Sequence, residues 1–147
     1  MKRSDALAPL SRDHHQGLVV AQRLRRATTD SAGEARADFL SFWEDDARRH
    51  FRVEEEILLP AFARHGRADH EAVVRVLVDH VELRRRASDL GTDPAPGLEN
   101  LHELGERLHA HIRHEERILF PLIEAALPTA ELAELVTAIS GAEEAGG

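Results

Sequence analysis

Two histidine–glutamate pairs with the same spacing, His50 with Glu54 and His111 with Glu115, are the residues of this sequence best suited to chemistry. Residues four apart lie on one face of a helix, one turn apart, so each pair can direct an imidazole and a carboxylate to the same point. Each pair lies within an apolar stripe, where an ionisable group is costly to bury without a partner. Metal ions accept both kinds of ligand and neutralise buried negative charge, so the pairs predict a metal site.

The two pairs belong to a longer internal repeat. Residues 50–60 read HFRVEEEILLP and residues 111–121 read HIRHEERILFP, with the same residue at seven of the eleven positions. A single His-x-x-x-Glu motif on a helix is more often a surface pair than a pair of metal ligands. Two copies in matching contexts favour the metal site, and they also indicate two helical hairpins of common design.

A histidine preceded by an aspartate occurs on each of the two remaining predicted helices, at Asp13-His14 and Asp79-His80. His14 is in phase with the apolar residues of its helix, whereas His15 points about 100° away and should lie near the edge of that face. His15 stays an alternative ligand or a supporting group. The predicted metal ligands are six residues, namely His14, His50, Glu54, His80, His111 and Glu115.

The remaining histidines are predicted to lie outside this site. His70 is on the apolar side of its helix, but almost three turns before His80, which is too far to share one compact site. Four others fall in turns or off the apolar stripes and are expected to be solvated, namely His65, His102, His109 and His114. Glu55 and Glu116 follow the predicted ligand glutamates and are rotated away from them, so we expect salt bridges or supporting hydrogen bonds there.

Long helices must position these residues. Apolar residues recurring every three or four positions predict helices over residues 7–27, 35–64, 70–90 and 98–127, and a short one over 130–140. Asp69 is the expected N-cap of the third helix, and Pro60 and Pro121 predict a kink or local break. Leu77 and Ile118 are placed on buried faces. The prediction is all-α: an up-and-down four-helix bundle over about residues 7–127, a short extra C-terminal helix and a mobile tail over 141–147.

Composition restricts the class of function. The 147 residues suit one domain, and the excess of 27 acidic over 19 basic residues, a net charge of −8, argues against nucleic acid as a partner. The absence of cysteine excludes disulfides, thiolate zinc sites, iron–sulfur clusters and cysteine nucleophiles. No signal-peptide pattern and no apolar stretch of about 18 residues occurs, so we expect a cytoplasmic protein without a membrane partner.

The order lone His, His-x-x-x-Glu, lone His, His-x-x-x-Glu on successive helices resembles the hemerythrin-like, or HHE cation-binding, family over about residues 7–127. The resemblance implies a four-helix bundle in which the four histidines bind iron. It also implies that Glu54 and Glu115 bridge two iron ions, together with an oxo or hydroxo group. Small diatomic molecules or peroxide would then be the partners of the site.

This sequence departs from the oxygen-carrying members of that family. They place two histidines four apart on the third helix, whereas Val76 and Arg84 flank His80 at that spacing, and they have a longer spacing to an aspartate in the last motif. Two octahedral irons with about twelve positions would keep about four open. The sequence thus predicts a non-heme di-iron protein that binds or reduces dioxygen, peroxide or nitric oxide for sensing or protection. If it reduces one of them, it is a di-iron oxidoreductase.

Two other hypotheses stay open. Nitrogen and oxygen ligands also suit zinc and manganese, so the domain can be one that binds or senses iron or another divalent cation without turnover. A purely structural bundle is the third hypothesis, in which the carboxylates alone satisfy the inward histidines. The sequence specifies neither a protein partner nor an oligomeric state.

Overall fold

The protein is described by a computed structural model that covers residues 2–145. Within this range there are five helices and no strand, so the all-α prediction is confirmed. The helices are α1 (Ala8–Arg25), α2 (residues 32–63), α3 (Glu71–Thr92), α4 (residues 98–126) and α5 (Thr129–Ala145). None of the five is long and apolar enough to cross a lipid membrane.

Helices α2 and α4 contain wider π turns beside the repeated motif. The turns Glu54–Leu58 and Glu115–Leu119 each begin at a glutamate of the motif and end two residues before a proline, Pro60 or Pro121. A proline within a helix has no N–H to donate, and its ring clashes with the carbonyl four residues earlier. The π turn accommodates this clash, so the predicted local break is a widened turn in a continuous helix.

The π turn also changes which residues of α4 face the core. Ile118, predicted to be buried, is 52 % exposed, whereas Leu119 is fully buried. The α-helical spacing does not hold across a wider turn, so the buried position moves by one residue.

The prediction that Leu77 of α3 is buried was also wrong. Leu77 is 41 % exposed, because the buried face of α3 runs through Val76 and His80 and leaves Leu77 beyond its edge.

The N-cap of α3 is His70, and the prediction of Asp69 was wrong. His70 has an extended backbone, and its Nδ1 accepts a hydrogen bond from the Ala72 N–H at 3.0 Å. The carboxylate of Asp69 instead accepts two hydrogen bonds from the Arg67 guanidinium. A histidine nitrogen thus satisfies a free amide at the helix start, as an aspartate oxygen would.

The C-terminal helix is longer than predicted. It continues through Ala145, five residues beyond the expected end at Ser140, so residues 141–145 are helical and not an irregular tail. Glu143 accepts a hydrogen bond from Arg49 Nε at 2.6 Å, which ties this last turn to α2. The last two residues of the predicted mobile tail, Gly146 and Gly147, lie outside the described residues.

The helices pack as a bundle around two apolar clusters. Gly105 of α4 lies so close to α1 that a Cβ there would be 2.7 Å from the Ala21 carbonyl oxygen, which explains the need for glycine. One cluster draws residues from all five helices, among them Leu10, Val53, Val76 and Leu119. The other draws on the first four helices and includes Val20, Phe51, Leu83 and Ile112. On each of the first four helices the predicted metal ligands lie where one cluster gives way to the other.

Candidate metal centre

The structure brings all six predicted ligands together in the middle of the bundle. Every one of them is buried, with at most 5 % of its surface exposed. They form two groups whose ligand atoms all lie within 4.8 Å of one another: His14 and His50 in one, His80 and His111 in the other, with Glu54 and Glu115 in both. Two adjacent positions for a cation therefore share both carboxylates.

Each shared carboxylate directs one oxygen to each group. Glu54 Oε2 lies 3.1 Å from His50 Nε2, and Glu54 Oε1 lies 3.1 Å from His80 Nε2. Glu115 Oε1 lies 2.8 Å from His14 Nε2, and Glu115 Oε2 lies 3.4 Å from His111 Nε2. The four imidazole Nε2 atoms thus converge on two carboxylates that span the site.

Several of these atoms lack a hydrogen-bond partner among the described residues. They are Glu54 Oε1 and Oε2, Glu115 Oε2, His80 Nε2 and His111 Nε2, all of them buried. Leaving a polar atom buried and unpaired costs about 1–3 kcal/mol, and more when the group is charged. Cations placed between imidazole nitrogens and carboxylate oxygens would satisfy all five atoms together, so the residues present fit a metal centre.

The outer nitrogen of each histidine is held by a carboxylate from a neighbouring helix. His14 Nδ1 donates to Glu116 at 2.6 Å, and His80 Nδ1 donates to Glu55 at 2.6 Å. These contacts confirm the supporting role predicted for both glutamates. An ionised carboxylate only accepts, so it fixes the proton on Nδ1 and leaves Nε2 free to bind a metal.

The other two supporting carboxylates are the aspartates of the Asp-His pairs. His50 Nδ1 donates to Asp13 at 3.0 Å, and His111 Nδ1 donates to Asp79 at 2.9 Å. Sequence analysis assigned them no role, although their repeated position before a histidine was a usable signal. Each aspartate orients the histidine of the next helix, and not the one beside it in the chain.

An arginine accompanies each supporting carboxylate. Arg3 lies 3.2 Å from Glu116 and Arg84 lies 3.1 Å from Glu55. Arg49 and Arg75 lie farther from Asp13 and Asp79, at 4.0 and 3.9 Å. Four sets of side chains, each with a histidine, a carboxylate and an arginine, therefore surround the site. The positive charge of each arginine favours the ionised form of its carboxylate, which in turn accepts a hydrogen bond from the imidazole N–H.

These contacts shift the pKa values of the site. Burial alone would lower the pKa of His111, but the charge of Glu115 and the hydrogen bond to Asp79 raise it to about 10. Burial alone would raise the pKa of Glu116, but hydrogen bonds from His14 and Ser11 lower it to about 2. Without a cation the imidazoles therefore hold protons, and a metal ion must compete with those protons.

The remaining histidines lie away from the centre, but several predicted to be solvated make contacts instead. His102 and His109 are half-buried, and His102 Nε2 donates to the Ala27 carbonyl at 2.8 Å. His15 is exposed at the surface, so the structure does not bring this alternative ligand to the site. His114 was expected to be solvated, but it is buried and its Nε2 donates to the Ala72 carbonyl at 3.0 Å. The π turn begins directly after His114, where α4 packs on the start of α3. His65 pairs with Glu131, at 2.6 Å.

A small cavity of about 20 Å³ lies next to the site. Three of the predicted ligands, His14, His50 and His111, form one side of it together with Asp13. Its other walls are formed by one further carboxylate, Asp46, and by five apolar residues, namely Phe42, Ala47, Phe51, Leu108 and Ile112. This volume admits about one molecule of the size of water. Space beside the predicted ligands is thus small and has apolar groups on one side.

The chain matches the hemerythrin HHE cation-binding domain family over residues 6–123. This match covers most of the 147 residues, so the protein belongs to that family, and the resemblance seen in the sequence is confirmed. The comparisons with curated proteins and with solved structures gave no match. Family membership, together with the buried His and Glu groups, identifies a cation-binding helical domain.

Proposed function

We propose that this protein binds two iron ions and uses them to bind or reduce a small oxidant, namely dioxygen, peroxide or nitric oxide, in sensing or protection. The observation that carries the proposal is the pair of four-residue groups that share Glu54 and Glu115. His14 and His50 would hold one ion and His80 and His111 the other, while both glutamates would span them. Bound ferrous iron supplies electrons that such oxidants accept.

The protein's own residues would control access and orientation. The Nδ1 hydrogen bonds to Asp13, Asp79, Glu55 and Glu116 keep the four imidazoles turned inward. Phe51 stacks on His80, with the ring centroids 3.8 Å apart, and also has its edge near His111. These contacts and the surrounding apolar clusters exclude bulk water, so only a small ligand reaches the site.

The cavity beside His14, His50 and His111 supports the choice of ligand. Its volume of about 20 Å³, close to that of one water-sized molecule, is too small for an organic substrate and so favours the smallest ligands. Its largely apolar walls favour a neutral molecule over a charged one. Among the described residues around it, Asp46 is the one carboxylate that does not support a histidine, and it pairs with Arg49 at 3.5 Å.

Anaerobic loading with ferrous iron tests the proposal. We expect two irons per chain, followed by a change in the optical spectrum when dioxygen, peroxide or nitric oxide is added in separate experiments. Replacing His50 and His111 together by alanine should abolish loading. His15→Ala is the matched control, because this histidine is next to a predicted ligand but exposed. Well under two irons per chain, or no response to any of the three ligands, would contradict the proposal.

Cation binding without turnover is the second candidate. A cation would satisfy the five buried unpaired atoms, and their nitrogen and oxygen donors also suit zinc or manganese. Competition among the three metals separates the candidates: tight zinc with substoichiometric iron and no redox response would favour simple binding. The same unpaired atoms argue against a purely structural bundle, in which the carboxylates would satisfy every imidazole.

We also propose the up-and-down course of the four main helices. Support comes from the order in which each helix meets the two apolar clusters. Helices α1 and α3 meet the cluster of Leu10 and Val76 first, whereas α2 and α4 meet it last, at Val53 and Leu119. Antiparallel neighbours produce this alternation.

A further inference from the structure

An apolar stripe lies on the outer side of α3, away from the metal centre. Val74, Leu77, Val78 and Val81 are 44, 41, 56 and 67 % exposed, respectively. Leu77 and Val78 follow Val74 by three and four residues, and Val81 follows them by four and three, so all four lie on one face, away from the buried side of the helix that carries His80. Only two other large apolar residues are exposed in the described part of the chain, Val19 and Ile118.

Nothing local favours valine at these positions. In an exposed helix position, valine is a weaker helix former than alanine, glutamate or arginine, because its branched side chain loses freedom of rotation. Three valines and a leucine line a shallow groove together with Glu82. A contiguous apolar patch on the surface of a soluble domain is typical of an interaction site.

We propose that this stripe is the interface of a homodimer, in which α3 packs against α3 of a second copy in antiparallel orientation. The flanking charges support this partner. Arg75 and Glu82 are seven residues apart and therefore lie on the same side of the stripe, one on each side of Val78 along the helix. A twofold axis near Val78 places Arg75 of each copy opposite Glu82 of the other.

The charges also distinguish between orientations. In a parallel pair the twofold axis runs along the helices, so Arg75 and Glu82 of one copy would lie at the opposite edge of the interface from those of the other copy and would not pair with them. Both side chains are partly exposed, Arg75 by 53 % and Glu82 by 38 %, and Glu82 also accepts a hydrogen bond from Arg85 of its own helix at 3.0 Å. The intramolecular contact of Arg75 is a long one, 3.9 Å to Asp79. In the antiparallel dimer, Val74 would pack near Val81 of the other copy. One alignment of the two helices thus brings the apolar residues together and also pairs the charges.

This inference does not depend on metal binding, because the stripe and the predicted ligands lie on opposite sides of α3. Sedimentation of the full chain at a series of concentrations tests it. We expect a species with twice the 16.4 kDa chain mass, with or without a chelator. Val78→Asp and Val81→Asp should each produce a monomer that keeps its helical circular dichroism. Val19→Asp is the matched control, because Val19 is an exposed valine outside the stripe and its replacement should leave the dimer intact.

A charge exchange tests the orientation. Arg75→Glu alone and Glu82→Arg alone each replace two attractive contacts by repulsive ones, so each should weaken the dimer by about tenfold. Both replacements in one chain restore opposite charges across the axis and should bring the affinity back to within about twofold of the original. A double variant no better than the single ones would overturn the antiparallel arrangement.

The absence of cysteine allows a direct test of the axis. Val78→Cys should form an interchain disulfide on mild oxidation, because residues near a twofold axis lie within disulfide distance of each other. Val19→Cys should form no interchain disulfide under the same conditions. The proposal is overturned if the original chain sediments as a monomer up to about 1 mM. It is also overturned if a dimer forms that Val78→Asp leaves unchanged, or if the stripe binds only an unrelated protein or a lipid surface.

Discussion

At the scale of single residues, the centre depends on more than its six predicted ligands. Each histidine among the predicted ligands donates its outer N–H to a carboxylate on another helix, and an arginine accompanies each of those carboxylates. This arrangement raises the basicity of the imidazoles and fixes the nitrogen that faces inward. The carboxylates around the site should therefore contribute to metal affinity without touching a metal.

Replacing Asp79 by asparagine tests that contribution. Asparagine is nearly the same size but carries no charge, so the Nδ1–H of His111 loses a charged acceptor. We expect metal affinity to fall about 10- to 100-fold, as measured by competition with a chromophoric chelator. Asp89→Asn, at an exposed position of the same helix, is the control and should change little. Equal affinities for both variants would show that the supporting charge is unimportant.

The pH dependence of stability follows from His111. Its pKa in the folded, metal-free protein is about 10, well above the ordinary value of 6.5. The folded state therefore binds more protons than the unfolded state between these values. The stabilisation is complete below about pH 6.5 and is lost as the pH rises towards 10. Glu143 acts in the same direction at lower pH, because burial and the neighbouring Asp13 raise its pKa to about 7.

Urea unfolding of chelator-treated protein at several pH values measures this effect. We expect the free energy of unfolding to decrease from pH 6.5 to 10. The chain suits this experiment because it has no tyrosine and no cysteine, whose ionisation would otherwise overlap. Metal-loaded protein is the comparison, since a metal ion in place of the proton removes the dependence. A metal-free protein that becomes more stable over this range would contradict the assignment.

At the scale of elements, the π turns decide which side chains reach the core. The turn Glu115–Leu119 starts at a predicted ligand and moves the buried position from Ile118 to Leu119. A wider turn at a functional glutamate is a common use of π geometry. Regular helical spacing predicts the positions up to the first residue of the turn, Glu115, and fails for the residues later in the turn.

Two neighbouring replacements test this shift. Leu119→Ala should lower the free energy of unfolding by about 2–5 kcal/mol, because it opens a cavity in a fully buried site. Ile118→Ala should cost less than about 1 kcal/mol, because that side chain is half exposed. Chemical denaturation of both variants provides the comparison. The opposite order of stabilities would mean that α4 follows regular α-helical spacing here.

At the scale of the whole molecule, the polar centre separates the apolar core into two clusters. The six predicted ligands, all of them buried, lie at the boundary between the cluster of Leu10 and Val53 and the cluster of Val20 and Phe51. Such a layer is costly in the absence of a cation, because buried carboxylates and imidazoles then depend on each other alone. Metal binding and the stability of the bundle should therefore be linked.

Chelation tests this link. Free metal at about 1,000 times its dissociation constant should stabilise the fold by about 4 kcal/mol, so adding a chelator should lower the melting temperature clearly. The variant with both His50 and His111 replaced by alanine should melt at the same temperature with or without the chelator. Differential scanning calorimetry under both conditions measures the difference. A chelator effect of equal size in both proteins would show that the metal binds elsewhere.

Local spacing in the sequence was sufficient to predict the helical class, the family and the six residues that converge at the centre. Residues four apart share a helix face whatever the rest of the fold does, so the pairs His50–Glu54 and His111–Glu115 are readable locally. Long-range contacts cannot be predicted from local spacing. The partners of Asp13 and Asp79 are 37 and 32 residues away in the chain, and only the packing of helices brings them together.

The predictions that were wrong likewise concern features that local spacing does not determine. The burial of His114, the exposure of Leu77 and Ile118, and the extension of α5 to Ala145 depend on which helix lies against which. The sequence by itself determined which side chains can bind a metal, because chemistry and helical period are local properties. Only the tertiary structure decided that both glutamates serve both histidine pairs, because that sharing requires four helices to meet at one point.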